Sequence, residues 1–187
     1  MSSRIVITGV GCLTPHGRGP DTLYDQALAE VDVIREITTF DTASYKSNLA
    51  GEVPTGLVER SVSPRLRKKT DRFTHLALAA AQDALADAGL LVDQDVDGDR
   101  VGLSIGNILG GWDFAERELR ALWTHGPRAV SPYQATAWFP TAAQGNISIQ
   151  NSIRGPSRTF VVDRASSAYA LIDAVNTLRR GDADVML

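Results

Sequence analysis

The stretch that most constrains the fold runs from Gly155 to Leu187 and has the pattern of a strand, a sharp turn, a helix and a second strand. Thr159 to Val162 is a short run of β-branched and aromatic residues, which predicts a buried strand. The predicted helix shows the spacing of one apolar face at Ala168, Leu171, Ile172, Val175 and Leu178. Ser166 or Ser167 could cap its beginning, because a hydroxyl there accepts from a free backbone N–H. We call residues 162–166, where the strand turns into the helix, the elbow.

An elbow of this kind is where many α/β enzymes place a nucleophile, because a helix N-terminus stabilises an anion. The residues around it, GPSRTFVVDRASSAYALIDAVNTLRRGDADVML, resemble the nucleophile-bearing stretch of the β-ketoacyl synthases, which have the thiolase fold. The resemblance places the acyl-accepting cysteine of a condensing enzyme at position 164. This chain has Arg164 there, beside Asp163, and a protonated guanidinium cannot accept an acyl group. We therefore predict no catalytic residue at the elbow. Arg164 could plug the elbow, pair with Asp163 or reach a partner subunit, and we expect carboxylate or carbonyl ligands around it, since a buried lone guanidinium is costly.

Length and composition narrow the class of protein. A chain of 187 residues allows one domain or at most two small ones, and we predict a single domain over residues 1–187. The single cysteine, Cys12, excludes an internal disulfide framework and favours a reducing compartment. No stretch approaches the roughly 20 apolar residues of a membrane span, and the N-terminus lacks the layout of a signal peptide. A net charge of -3 gives no sign of nucleic-acid binding, so we predict a cytoplasmic protein that binds neither membrane nor nucleic acid.

Arg4 to Thr8 is a compact apolar run that ends in Gly9-Val10-Gly11, which predicts a central strand entering a glycine turn. The third glycine and the immediate helix of a dinucleotide fingerprint are missing. The run and its loop, ITGVGCLTPHG, instead resemble the opening of a ketosynthase. Three scattered histidines and one cysteine show no metal-ligand spacing, so we predict no cofactor and no metal.

Strands that alternate with helices predict a mostly parallel sheet covered by helices. We expect an α/β, thiolase-like fold, as one αβα half with a mixed, mostly parallel five-stranded sheet. The expected strands are residues 4–8, 50–53, 101–105, 159–163 and 184–187, and the clearest helices are 70–89 and 113–123. The family resemblance adds an antiparallel strand among them and a dimer contact through the strand before the elbow.

Five cations stand just before the longest predicted helix and form what we call the basic cluster: Arg65, Arg67, Lys68, Lys69 and Arg72. Positive charge at a helix start opposes the helix dipole, so the cluster needs another explanation. The resemblance implies that Arg65, Arg67, Lys68 and Lys69 bind the acidic face of an acyl carrier protein. The alternative is a solvated run of charge.

Residues 130–149, VSPYQATAWFPTAAQGNISI, mix large aromatic and small residues, which on one helix suits either core packing or an acyl pocket. They are similar to the chain length factors of type II polyketide synthases, in which this helix lies at the heterodimer interface and lines the tunnel for the growing chain. A helical face drawn from Thr136 contains Phe139, Pro140 and Ala143, with Tyr133 and Gln134 at the entrance. The tunnel candidates are therefore Tyr133, Gln134, Thr136, Trp138, Phe139, Pro140 and Ala143.

Chain length factors have lost the cysteine and pair with an active ketosynthase. The resemblance thus predicts a non-catalytic subunit that forms a heterodimer with a cysteine-bearing ketosynthase, lines the tunnel and helps set the length of a polyketide or fatty acyl chain on its carrier protein. It covers only the first half of a family member, which favours a truncated chain and leaves the elbow helix to be covered by another subunit. The two catalytic histidines normally come from the second half, and His16, His75 and His125 match neither. The alternatives are a fragment or half-chain of an acyl-processing enzyme, such as a decarboxylating ketosynthase variant, and a carrier-protein-binding scaffold.

Overall fold

The structure is a computed structural model that describes residues 4–59 and 61–187. Residues 1–3, part of the N-terminus predicted to lack a signal peptide, lie outside the described residues. The described helices are α1 Pro20–Leu28, α2 Gly56–Glu59, α3 Pro64–Arg67, α4 Arg72–Asp87, α5 Trp112–His125, α6 Gln134–Ala137, α7 Ala142–Gln150 and α8 Ser166–Arg180. The strands are β1 Leu13–Thr14, β2 Gly17–Arg18, β3 Arg35–Glu36, β4 Leu49–Ala50, β5 Val101–Asn107, β6 Ser157–Val161 and β7 Val185–Met186.

The main sheet is parallel and has the strand order β6-β5-β7. In β5, Val101 and Leu103 are buried in one hydrophobic cluster with Leu78 of α4 and Ile147 of α7. The alternate residues of the strand face α8, because Ser104 donates to the carboxylate of Asp173 at 3.1 Å. Helices therefore cover both faces of the sheet, which confirms the predicted α/β layering.

Two predicted strands are not formed as expected, so the main sheet of the described residues has three strands and not five. The run 4–8 pairs with no strand, and Ile7 is 81% exposed. Its backbone lies instead against α4, where a Cβ on Gly9 would come within 2.8 Å of the Cβ of Ala88. The predicted strand 50–53 is reduced to β4, which pairs antiparallel with β3 in a separate two-stranded sheet. An apolar run becomes a strand only where a ladder partner lies beside it, and sequence periodicity does not supply that partner.

The prediction of one continuous helix within residues 130–149 is wrong. Helix α6 ends at Ala137 and α7 begins at Ala142. Pro140 explains the break, because proline has no N–H to donate and its ring clashes with the carbonyl four residues earlier. The helices expected at 70–89 and 113–123 are confirmed as α4 and α5. No helix in residues 4–59 and 61–187 is long and apolar enough to cross a membrane.

Candidate functional site

The predicted elbow is present between β6 and α8. Asp163 has a φ of 52°, in the left-handed region, and begins a short 3-10 turn over Asp163–Ala165. A non-glycine residue is uncommon in that region, and such backbone persists only where neighbouring contacts hold it. The chain thus reverses within a few residues at the position where the family resemblance places a nucleophile.

Ser166 provides those contacts. Its side chain is buried, with the residue 3% exposed, and its hydroxyl accepts from the N–H of Val162 at 3.0 Å. The same hydroxyl lies 2.7 Å from the carbonyl oxygens of both Asn107 and Asp163, which are its two possible acceptors. The prediction that Ser166 or Ser167 caps α8 is therefore wrong, since Ala165 is the N-cap residue and makes no side-chain cap. Ser166 binds the elbow to the end of β5 instead.

Glycine at position 106 makes this close approach sterically possible. A Cβ on Gly106 would lie 2.5 Å from both the carbonyl carbon of Ser166 and the nitrogen of Ser167. Those are backbone atoms of the first turn of α8, which cannot move aside alone. The backbone at the end of β5 consequently packs directly against the backbone at the beginning of α8.

Arg164 lies exposed at the elbow, as does Asp163. Within the described residues, Arg164 has no hydrogen-bond or ion-pair partner, so the expectation of carboxylate or carbonyl ligands is wrong. The physical reason is that this surface of the elbow is open, so water solvates the guanidinium and no compensating ligand is required. The side chain is available to a group from another molecule.

Asn107 connects the elbow to the tunnel candidates, and sequence reasoning missed it. Its Nδ2 donates to the carbonyl of Pro140 at 2.9 Å, while its Oδ1 accepts from the N–H of Ile108 at 2.7 Å. Four residues after Asn107, the N–H of Gly111 donates to the carbonyl of Trp138 at 2.9 Å. The available signal was an amide side chain at the end of a buried strand, immediately before a glycine-rich turn. The break between α6 and α7 is thus held by the end of β5.

The structure separates the tunnel candidates into two environments. Ala143 is buried in α7, whereas Phe139 is 50% exposed and packs edge-on against Trp138 with ring centroids 5.9 Å apart. Thr136 is exposed, and Gln134 and Pro140 are half-buried. The predicted helical face from Thr136 through Ala143 is therefore not continuous. Two cavities of about 600 and 580 Å³ are lined by other residues, the first between residues 4–9 and α8 and the second beside the end of α4.

The basic cluster lies beside the predicted tunnel entrance. The Nζ of Lys69 sits 4.9 Å from the ring centroid of Tyr133, a cation–π contact. Arg67 pairs with Glu59 at 3.5 Å, and Arg72 donates to the carbonyl of Val53. Arg65 and Lys68 are exposed, with no ion pair among the residues that the structure describes. The predicted carrier-protein site and the predicted tunnel entrance are thus in contact through Lys69 and Tyr133.

Asp71 fixes the position of this cluster, which is a second feature that sequence reasoning missed. The residue is 6% exposed, and its Oδ1 accepts from the N–H of Phe73 at the start of α4 at 3.1 Å. Its Oδ2 accepts from the N–H of Phe114 in the first turn of α5 at 2.8 Å. One carboxylate therefore caps two helices and opposes both positive helix ends.

The histidines make contacts outside the elbow. His16 lies 3.1 Å from the carbonyl of Val31, and His125 lies 2.7 Å from the hydroxyl of Thr124. His75 lies 2.9 Å from the hydroxyl of Thr70, and burial lowers the pKa of its imidazole. In the described residues, none of these contacts involves Arg164 or Ser166.

A parallel sheet between helices, joined to one of them by a glycine-packed elbow, defines an N-terminal half of the thiolase-like ketosynthase fold. The chain belongs to the family described as beta-ketoacyl synthase, N-terminal domain, whose model matches residues 2–187.

Three relatives illustrate this membership. The actinorhodin polyketide beta-ketoacyl synthase 2 of Streptomyces coelicolor is 39% identical over 181 residues, which are 95% of this chain and 43% of the relative. The AntDE:AntF structure, a type II PKS acyl-carrier protein in complex with its ketosynthase bound to the hexaketide, is 33% identical with a TM-score of 0.79 and covers 97% of this chain and 48% of that one. The ishigamide ketosynthase/chain length factor is 25% identical with a TM-score of 0.83 and covers 100% of this chain and 46% of that one. The chain thus spans less than half the length of these relatives.

Proposed function

We propose that this chain, as a single domain, is a non-catalytic, chain length factor-like subunit that pairs with a cysteine-bearing ketosynthase. The observation that carries the proposal is Arg164 in an otherwise intact elbow. Ser166 and Gly106 hold the bend in place, and the position that the resemblance assigns to the nucleophile carries a guanidinium. A guanidinium, protonated throughout the working pH range, cannot form an acyl-enzyme.

Strand β6 and the face of α8 beside it are the proposed surface for the ketosynthase. Strand β6 pairs with β5 on one side, and its other edge bears no strand in the described chain. Val161 is 49% exposed, Tyr169 51% and Ile172 58%. A free strand edge beside exposed apolar side chains favours association with another subunit. The similarity of this chain to the ishigamide ketosynthase/chain length factor supports a ketosynthase as the partner.

The tunnel that we propose is open on this chain and is closed by the partner. Phe139 and Thr136 are exposed next to the break that Asn107 binds. Exposure of an aromatic ring suits a wall whose opposite side comes from another subunit. Buried Ala143 is then part of the support behind the wall rather than of its lining.

An acyl carrier protein is the proposed second partner, and it binds at the basic cluster. Arg65 and Lys68 are exposed and have no ion-pair partner among the described residues, whereas Arg67 pairs with Glu59. Unpaired surface cations attract an acidic partner over long range and raise its association rate. The AntDE:AntF structure, in which a carrier protein is in complex with its ketosynthase, supports this class of partner.

Co-expression with a cysteine-bearing ketosynthase from the same gene neighbourhood tests the proposal. We expect a stable one-to-one complex by pull-down and light scattering, and a change in product length for Phe139→Ala in that complex. Ile149→Ala is the matched control, because Ile149 is also exposed but lies near the C-terminal end of α7, whereas Phe139 precedes that helix. A well-behaved monomer that binds none of the ketosynthases offered would contradict the proposal.

The second candidate function is one chain of an acyl-processing enzyme, such as a decarboxylating ketosynthase variant whose histidines come from another chain. The intact elbow favours this alternative, as do the ketosynthase relatives. Malonyl decarboxylation on a carrier protein, abolished by Arg164→Ala, would support it. Carrier binding without any ketosynthase binding would instead support a carrier-protein-binding scaffold.

A further inference from the structure

Lys69 differs from the other cations of the basic cluster in what it contacts. Arg67 and Arg72 have oxygen partners, and Arg65 and Lys68 face solvent. Lys69 alone among these five has an aromatic ring as its described partner, and that ring belongs to Tyr133, the tunnel candidate at the entrance. The two proposed sites, one for the carrier protein and one for the acyl chain, therefore share this contact.

The contact is weak enough for a binding partner to break. A cation–π contact at a partly exposed site changes an equilibrium constant by a factor of about 2 to 5. Lys69 is half-buried and Tyr133 is 37% exposed, so solvent and ligands reach both groups. A carboxylate or phosphate that binds the ammonium of Lys69 replaces the ring with a full negative charge.

The segment that begins at Tyr133 is held more firmly at its end than at its start, because Ala137 is buried and the carbonyl of Trp138 accepts from the N–H of Gly111. Helix α6 has only four residues, and Tyr133 precedes it as the N-cap residue without a side-chain cap. Next to it, the Oε1 of Gln134 is buried and has no hydrogen-bond partner in the part of the chain that the structure describes. An unsatisfied buried acceptor disfavours the observed arrangement relative to one in which it finds a donor. A change at Tyr133 therefore acts on the beginning of α6, where Gln134 lies, while the end of the helix stays held.

We propose that Lys69 and Tyr133 couple carrier-protein docking to the tunnel entrance. An acidic carrier protein takes the ammonium of Lys69 from the Tyr133 ring, and the released ring lets the beginning of α6 rearrange at the entrance. This coupling rests on the proposed docking function, because it requires that the carrier protein bind the basic cluster. It predicts that the ring competes with the carrier protein for Lys69.

A double-mutant cycle in the complex with a cysteine-bearing ketosynthase tests the coupling, with an acidic type II acyl carrier protein as the probe and its Kd as the readout. Tyr133→Leu frees Lys69 and should tighten carrier binding by about 2- to 5-fold. Lys69→Met should weaken binding, and Tyr133→Leu should then have no further effect. Arg65→Met is the control, because Arg65 does not contact the ring, and it should weaken binding equally with and without Tyr133→Leu.

The possible failures are distinguishable. If Arg65→Met weakens binding but Tyr133→Leu leaves the Kd unchanged or raises it, the coupling is wrong and the docking function stands. If the unmodified complex does not bind the carrier protein, the docking function is wrong and the coupling falls with it. Ring-current shifts of the Lys69 ε-methylene protons give a second readout in the protein without carrier, and their absence would also overturn the coupling.

Discussion

The hydroxyl oxygen of Ser166 lies 2.7 Å from the carbonyl oxygen of Asn107, so the first turn of α8 is bound to the last residue of β5. The side chain of Asn107 in turn donates to the carbonyl of Pro140. A single chain of hydrogen bonds therefore runs from the elbow, through the central strand, to the break between α6 and α7. Because each donor in it is at least half-buried, replacement by a group that cannot hydrogen-bond leaves unsatisfied partners.

Ser166→Ala should lower the free energy of unfolding by about 1–3 kcal/mol, because it leaves the N–H of Val162 without its hydroxyl acceptor and one of the carbonyls of Asn107 and Asp163 without its hydroxyl donor. Urea unfolding followed by circular dichroism measures the change. Ser167→Ala is the matched control, since Ser167 is exposed, and it should stay within about 0.5 kcal/mol of the unmodified chain. Equal effects of the two substitutions would contradict the role of Ser166.

Gly106→Ala should destabilise the protein severely, because the new Cβ would lie 2.5 Å from backbone atoms of Ser166 and Ser167. The separation of β5 from α8 that relieves this overlap also breaks the hydrogen bond between Ser166 and Asn107. We expect a loss at the upper end of the range of about 1–3 kcal/mol that overpacked cores typically show, or insoluble protein.

Gly145→Ala is the matched control for Gly106→Ala. Gly145 lies inside α7, and a Cβ there meets nothing within 4 Å. Because alanine has the higher helix propensity, this variant should gain about 0.5–1 kcal/mol. Thermal unfolding of both variants checks the contrast, and a loss of stability in Gly145→Ala would show that the space around α7 is not as described.

Asp71→Ala should destabilise more than the loss of an ordinary helix cap. One cap contributes about 0.5–2 kcal/mol, and the buried carboxylate of Asp71 caps both α4 and α5. Ser63→Ala removes the single, exposed cap of α3 and should cost less. Urea unfolding of the two variants provides the comparison, and a similar loss for both would mean that the bond to Phe114 contributes nothing.

Much of the fold could be predicted because its signals are local. Apolar periodicity identified α8, and the β-branched run before the elbow identified β6, although β6 is a partly exposed edge strand and not the buried strand predicted. The sharp turn at the elbow follows from a strand that changes into a helix within a few residues, whereas the left-handed φ of Asp163 has no such local signal. The break at Pro140 was also available locally, since proline interrupts a helix, and the resemblance to one family segment led us to extend the helix through it.

The remaining features join residues that are far apart in sequence. Asp71 and Phe114 are 43 positions apart, and Asn107 and Pro140 are 33 apart. No pattern within a helix or strand indicates which distant N–H or carbonyl a polar side chain will reach. The prediction of a strand at residues 4–8 is wrong for the same reason, because a strand there would need a neighbouring strand that the sequence does not identify. The exposure of Arg164 likewise depends on what covers the elbow.

The acidic loop before β5 gives a prediction for acid unfolding. Arg154 donates to the carboxylate of Asp93 at 2.9 Å from both terminal nitrogens, and this hydrogen bonding lowers the pKa of Asp93 from 3.8 to about 2. A group whose pKa is lower in the folded state stabilises the protein above its unfolded pKa, and that contribution is lost as the pH falls through the folded value. Stability supplied by Asp93 should therefore be complete above about 3.8 and disappear as the pH falls to about 2. We expect Asp93→Asn to reduce the dependence of the urea midpoint on pH in that window, and Arg154→Met to have the same effect, because it removes the cation that shifts the pKa. An unchanged pH dependence in both variants would show that the ion pair does not persist in solution.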